Sequence, residues 1–246
     1  VTPTQDLVWG VYYMTRDADG DKKKPRLVAH APEAISLFGQ GIITLHDPIV
    51  ILAKKIPKVY DTSDMVVETT VGRLIFNQVL PEKIPYQNIA VGKTVLHDIL
   101  KTVLERYGFE PTAVLLDVLK ETGLAYLTLS GNSWGIEDLP LLPGKQALLV
   151  EADTRVEEIR KLYEDGFLTI SEKRNKTTEI WIETKEKVVT MARGAFPKGS
   201  SVFSMVSSGA RGSWTQLTQI VGMKGLVTNP AGEIIELPVR SSFQEG

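Results

Sequence analysis

Cysteine is absent from the 246 residues, histidine occurs only three times, and aromatic residues make up 7%. Without cysteine there is no disulfide framework, no thiolate metal site and no cysteine nucleophile. No apolar run reaches the roughly 18 residues that a membrane span needs. The opening VTPTQDLVWG lacks the basic n-region of a signal peptide. One absence is local: residues 187–232 contain no Asp or Glu, where about 5 or 6 are expected at the chain's average frequency. That stretch holds Lys187, Arg193, Lys198, Arg211 and Lys224 together with seven glycines. Over the whole chain 28 basic residues face 30 acidic ones, a net charge of -2, which argues against a surface that grips duplex DNA by itself.

What is present suits a globular chain. With 43% apolar and 24% charged residues a buried core is expected, and the length implies one or two domains. Residues 4–15 read as a helix capped by Thr4, with Leu7, Val8, Val11 and Tyr12 at helical spacing. A polar loop (RDADGDKKKPR) follows, then a short helix at 34–38. Strands are predicted at 42–55 and 65–71 from their Ile and Val content, and a short helix at 72–80 ends before Pro81. Helices are predicted at 93–107, closed by Gly108, and at 112–129. The longest pattern is a pair of helices, 145–165 and 171–193, joined by a short turn containing Gly166, with Ser171 as the expected N-cap. Such a pair packs antiparallel. Between 151 and 187, ten residues are acidic and eight basic, which suggests a hairpin projecting into solvent; a merely solvated face is the alternative. The expected fold is α+β: a small mixed β-containing N-terminal part, then a helical part with the long hairpin. The expected domains are 1–130 and 131–246.

Three motif matches fail on inspection. Gly131-Asn132-Ser133-Trp134-Gly135 fits G-x-S-x-G, but every histidine (30, 46 and 97) lies upstream, so the Ser-Asp-His order is impossible; a turn is the better reading. Gly92-Lys93-Thr94 resembles the end of a phosphate-binding loop, but the first glycine of that motif would fall at Gln87, so the residues read as the first turn of a helix. Asp17, Asp19 and Asp21 resemble a calcium loop, but its sixth position is Lys22 and its twelfth Val28. The three histidines have no metal-ligand spacing, and each is expected to be structural.

One segment carries functional chemistry: residues 207–225, SSGARGSWTQLTQIVGMKG. A glycine-flanked loop presents Arg211, and Ser213 is placed to cap a helix through 214–221. A guanidinium in a small-residue loop before a helix suits an anion, since it binds phosphate bidentately. An ordinary exposed loop arginine remains the alternative on spacing alone.

This segment, continuing to SSFQEG, closely resembles the largest subunit of bacterial RNA polymerase, β′, just before its bridge helix. Four more blocks agree in order: VTPTQDLVWGVYYMTRD, VETTVGRLIFNQVLPEKIPY, GLAYLTLSGNSWGIEDLPLLPGK and KLYEDGFLTISEKRNKTTEIW. The last resembles the tip of the family's helical hairpin. The resemblance implies the pore and funnel part of β′, which lines and rims the secondary channel through which nucleotides enter. It places the family's catalytic Asp triad before Val1 and the bridge helix after Gly246, so the fragment would not polymerise RNA alone. No cofactor is expected on it, with Mg2+ held elsewhere in the parent enzyme.

The implied partners are the remainder of the core enzyme (β′ and β), nucleoside triphosphates and secondary-channel transcription factors, with no membrane partner and a cytoplasmic, nucleoid-associated setting. Arg211 matches the arginine that reaches the nucleotide's phosphates, and Gln216 belongs to the same substrate-binding set. Ser208, Gly209, Gly212, Gly222, Met223 and Gly225 match loop and bridge-helix packing positions. Glu172, Asn175 and Lys176 match hairpin-tip positions where channel factors and, in some bacteria, an alarmone dock. Three departures stand out: Thr218 where relatives carry Arg, Trp214 where they carry a small residue, and Arg174 where they carry Tyr. The alternative function is an independent protein-binding module that uses the 145–193 hairpin.

Overall fold

The computed structural model describes residues 2–18, 24–58 and 65–246. Two of the three acids of the calcium-like turn, Asp19 and Asp21, and most of the lysine run at 22–24 lie outside the described residues. The chain divides into two compact units, Val1–Ser133 with Lys198–Arg211, and Trp134–Pro197 with Gly212–Gly246.

In the first unit, helix α1 (Gln5–Thr15) carries Val8, Val11 and Met14 into the core. Thr4 is its N-cap position but makes no side-chain capping bond. Strand β1 (Arg26–Leu27) pairs parallel with β2 (Pro48–Leu52), which pairs antiparallel with β3 (Val66–Thr70). Helix α2 (Ala31–Gly39) is longer than predicted because His30 caps it, with Nδ1 accepting from the Glu33 N–H at 3.1 Å and Pro32 tolerated in the first turn. Strand β2 is shorter than the predicted 42–55. Ile49 and Ile51 are buried in alternation, but residue 44 opens a turn in which its N–H donates to Asp47 Oδ2 (2.8 Å), and 53–55 form a 3₁₀ turn. Ile and Val content alone does not distinguish these irregular buried residues from a strand; period-2 burial does.

No loop separates β3 from α3 (Val71–Val79), because Thr70 both ends the ladder and caps the helix, accepting the Arg73 N–H at 3.3 Å. Helix α4 (Lys93–Tyr107) has the predicted bounds. Helix α5 (Phe109–Ser130) starts three residues earlier than expected: Gly108, at φ 83°, reverses the chain in a single residue, and Pro111 sits in the first turn, where a missing N–H costs little. The main core combines Val8, Val11, Met14, Phe76, Leu96 and Leu119, and a second cluster lies under the sheet around Ile49, Ile51 and Leu74. Helix α8 (Ser201–Ser207) returns to this unit, and Trp9 Nε1 donates to Ser204 Oγ at 2.9 Å.

The second unit is built on α6 (Lys145–Glu164) and α7 (Ile170–Ala195), joined by a turn in which Gly166 takes φ 80°. The N-cap of α7 is Thr169, not Ser171. Thr169 Oγ1 accepts the Glu172 N–H (3.3 Å) while the Glu172 carboxylate accepts the Thr169 N–H (2.8 Å), a reciprocal capping box that a cap at Ser171 would forgo. The buried seam is Leu149 and Ala152 against Ile180, Trp181, Thr184 and Val188. Beyond it, residues 161–167 are exposed, as the charge pattern suggested. Arg240 clamps both helices, pairing bidentately with Asp153 (2.7 and 2.8 Å) while lying 5.2 Å above the Trp181 ring. Helix α9 (Trp214–Val221) completes the unit.

Candidate functional site

The loop that carries Arg211 is pinned from several directions within the first unit. The Ser208 N–H continues α8 by donating to the Ser204 carbonyl (3.0 Å), and the Ser208 hydroxyl donates to the Met205 carbonyl (2.9 Å) while accepting the Ala210 N–H (3.2 Å). Gly209 takes φ 74°, a conformation that a side chain would strain, and its N–H donates to the Val206 carbonyl at 3.1 Å. Ser208 and Ala210 are buried, Ala210 in the main core, whereas Arg211 is exposed. Small residues anchor the backbone so that one long cationic side chain stands out from it. Among the described residues Arg211 has no ion pair.

The unit boundary falls between Arg211 and Gly212, so the second half of the segment is described by itself. Ser213 caps α9 as expected, accepting the Gln216 N–H at 3.2 Å, with Gln216 Oε1 3.4 Å from its hydroxyl. Gln216 is exposed and in this state supports the cap. Thr218 is completely buried, its hydroxyl donating to the Trp214 carbonyl at 2.8 Å, so it offers no cation. Trp214 packs edge-on against Phe196 (6.1 Å between centroids) and under the Arg193 guanidinium (5.5 Å). The bulky residue thus has its own aromatic and cationic neighbours.

Gly222 is where α9 meets α7: a Cβ there would stand 2.6 Å from Val188 Cγ1 and 2.8 Å from the Thr218 carbonyl. Gly225 (φ 85°) exchanges two 2.9 Å backbone bonds with Val239, and Met223 is fully buried. These three residues are engaged in packing inside their own unit. Gly212, at φ 73°, is exposed.

At the hairpin tip, Asn175 and Lys176 are exposed and on the surface of α7. Glu172 is the capping-box acid, and the Thr169 N–H bonded to it holds its carboxyl below the usual range. Arg174 donates to the Ile234 carbonyl (2.8 Å), and Lys173 pairs with Glu236 (3.2 Å). The segment 233–236 thereby flanks the tip across a groove of about 580 Å³.

Sequence reading missed a polar site in the first unit. Arg73 is buried, donating to the Thr15 carbonyl (2.9 Å) and pairing with Asp17 (2.7 Å). With His46, Glu68 and Thr70 it lines a cavity of about 400 Å³. Asp17, read as one acid of a failed calcium turn, is the ion partner of Arg73. The "TTVGR" block contained the signal, a lone arginine among apolar and small residues, but its partners lie far off in the chain. His46 sits edge-on to Tyr13, and its Nε2 lies 2.5 Å from the Tyr13 carbonyl; with the His30 cap this gives two of the three histidines structural roles. Ser133 lies in irregular chain after Gly131, which closes α5 at φ 59°. Among the described residues no group of three His, Asp or Glu converges to hold a metal, and no helix is long and apolar enough to cross a membrane.

Comparison with known proteins gives two family matches, RNA polymerase Rpb1, domain 3, over residues 1–139, and RNA polymerase Rpb1, domain 4, over residues 153–244. Similar curated proteins are named DNA-directed RNA polymerase subunit beta'. That of Kineococcus radiotolerans is 38% identical, covering 99% of this chain and 20% of the relative. That of Clostridium acetobutylicum is 36% identical, covering 99% and 22%, and that of Halalkalibacterium halodurans 33%, covering 100% and 23%. The chain therefore spans about a fifth of the length of the curated relatives it matches.

Proposed function

The chain belongs to the RNA polymerase Rpb1 family, and from that membership we propose that it is the part of a bacterial DNA-directed RNA polymerase β′ subunit that walls and rims the channel through which nucleotides reach the catalytic centre. Nucleotidyl transfer in such an enzyme is metal-assisted. No step of that transfer is assigned to the residues of this chain. Its task is to meet the incoming nucleoside triphosphate and to contact the rest of the core enzyme.

The observation that carries this reading is Arg211: an exposed guanidinium without an ion pair among the described residues, on a loop locked by its own backbone and by buried Ser208 and Ala210. A preorganised arginine loses little freedom on binding, and its planar fork fits phosphate oxygens. Gln216 is assigned to the same substrate on the resemblance alone. Asn175 and Lys176, exposed at the hairpin tip, are assigned to factors that approach the channel rim.

The test is Arg211→Ala in a polymerase carrying this segment. Loss of one charge-assisted bond, about 1.5–3 kcal/mol, raises KM for nucleotides roughly tenfold or more. An unchanged KM overturns the assignment of Arg211.

A further inference from the structure

The Arg211 loop is held by a second, distant segment. The Ser208 carbonyl accepts the Lys93 N–H at 2.8 Å. Gly209 passes so close to Lys93 that a Cβ built on the glycine would stand 3.1 Å from the lysine's own Cβ, and one built on Gly92 would stand 3.1 Å from the Ser208 carbonyl oxygen. Arg211 follows Gly209 by two residues, at most about 7 Å of extended backbone. The fold thus brings a lysine and an arginine, both exposed, onto one patch of the first unit. Among the described residues neither has an ion pair, and the first turn of α4 contains no acidic residue. On the other side, Arg211 lies within the acid-free stretch 187–232. Two cations brought onto one patch with no ion pair among the described residues suit an anion with several linked charges, which can meet both at once.

We propose that Lys93 is a second phosphate-contacting side chain beside Arg211, and that the pair takes the polyphosphate of a nucleoside triphosphate. The proposal rests on the reading of Arg211 given above and extends it to a residue in another segment. Arginine supplies the planar fork, and lysine a compact point charge that can follow the phosphates as they move. Because Lys93 meets Ser208 through its backbone N–H, replacing the side chain removes the charge and leaves the bond between the segments in place.

The experiment measures KM and kcat for nucleotides in a polymerase carrying Lys93→Ala, Lys93→Arg or Arg211→Ala. The expected result for Lys93→Ala is a KM raised about fivefold with kcat little changed, and for Lys93→Arg a KM within about twofold of the parent. Lys93→Ala with unchanged KM beside a raised KM in Arg211→Ala overturns this inference and leaves the Arg211 assignment standing. The reverse pattern overturns the Arg211 assignment and with it the pairing proposed here, since Lys93 would then act without Arg211. A fall in kcat at constant KM in Lys93→Ala, or failure of Lys93→Arg to restore KM, also overturns it, since a structural role and not the charge would then be at work.

Discussion

The α1–α5 contact of the first unit and the α6–α7 hairpin of the second are both helix pairs, yet opposite means hold them. Where α1 meets α5 the atoms are backbone: a Cβ on Gly10 would lie 1.8 Å from the Gly123 carbonyl oxygen, and one on Gly123 2.8 Å from that of Leu7. Two glycines let the helices approach until Val8, Val11, Leu115 and Leu119 close over them. The hairpin instead relies on a large side chain. Trp181 is 2% exposed, with Arg240 over its ring, and ion pairs such as Arg155–Glu183 (2.9 Å) and Lys187–Glu183 (3.0 Å) lie outside it. One interface depends on absent atoms and the other on present ones. Substitutions should therefore act in opposite senses.

The largest expected effect comes from removing atoms. Trp181→Ala empties the seam, costs about 3–5 kcal/mol, and frees Arg240 from its aromatic partner. Hydrogen exchange should rise across α6 and α7 and stay low in α1 and α5. Equal rises in both pairs would break the comparison by showing that the units do not respond separately. Next comes adding atoms. Gly10→Ala improves helix propensity by up to about 1 kcal/mol, but it forces a methyl into a carbonyl and should destabilise by about 2–3 kcal/mol net. The urea midpoint checks the sign, and a stabilised Gly10→Ala protein would show that the two helices can part without loss.

The smallest effect lies at the hairpin's far end. Thr169→Ala removes half of the capping box and should cost about 1 kcal/mol. Glu172 has its carboxyl held below the ordinary 4.5, first by the Thr169 N–H and then by its hydroxyl. Its contribution is therefore fully present above pH 4.5 and is lost as pH falls through the lower folded value. Helicity of the hairpin followed by circular dichroism in acid should show this loss in the parent and a weaker one in Thr169→Ala. Identical acid profiles would remove the cap from the account.

Much of this was legible in the order of residues. The bounds of α4 follow from one apolar face ending at Gly108, and the Ser213 cap follows from a hydroxyl three residues before Gln216. Short-range rules decide both, because the groups that satisfy each other are within one turn. The same rules misplaced the cap of α7, where Thr169 and Ser171 are both hydroxyl residues and only Thr169 has a carboxylate at the third helical position. They overextended β2, where burial outside a strand selects the same side chains as burial within one.

What the sequence determined by itself is local: which residues turn, which faces are apolar, where acids are missing, and that a cation stands in a small-residue loop. The tertiary structure alone decided which distant groups share a neighbourhood. It returned residues 198–211 to the first unit, set Gly10 on Gly123, gave Asp17 to Arg73, and laid the Arg211 loop on Lys93. Periodicity records which side of a helix is buried and not what buries it. A backbone N–H meeting a carbonyl from a remote segment leaves no trace in side-chain identity, since every residue but proline carries both groups.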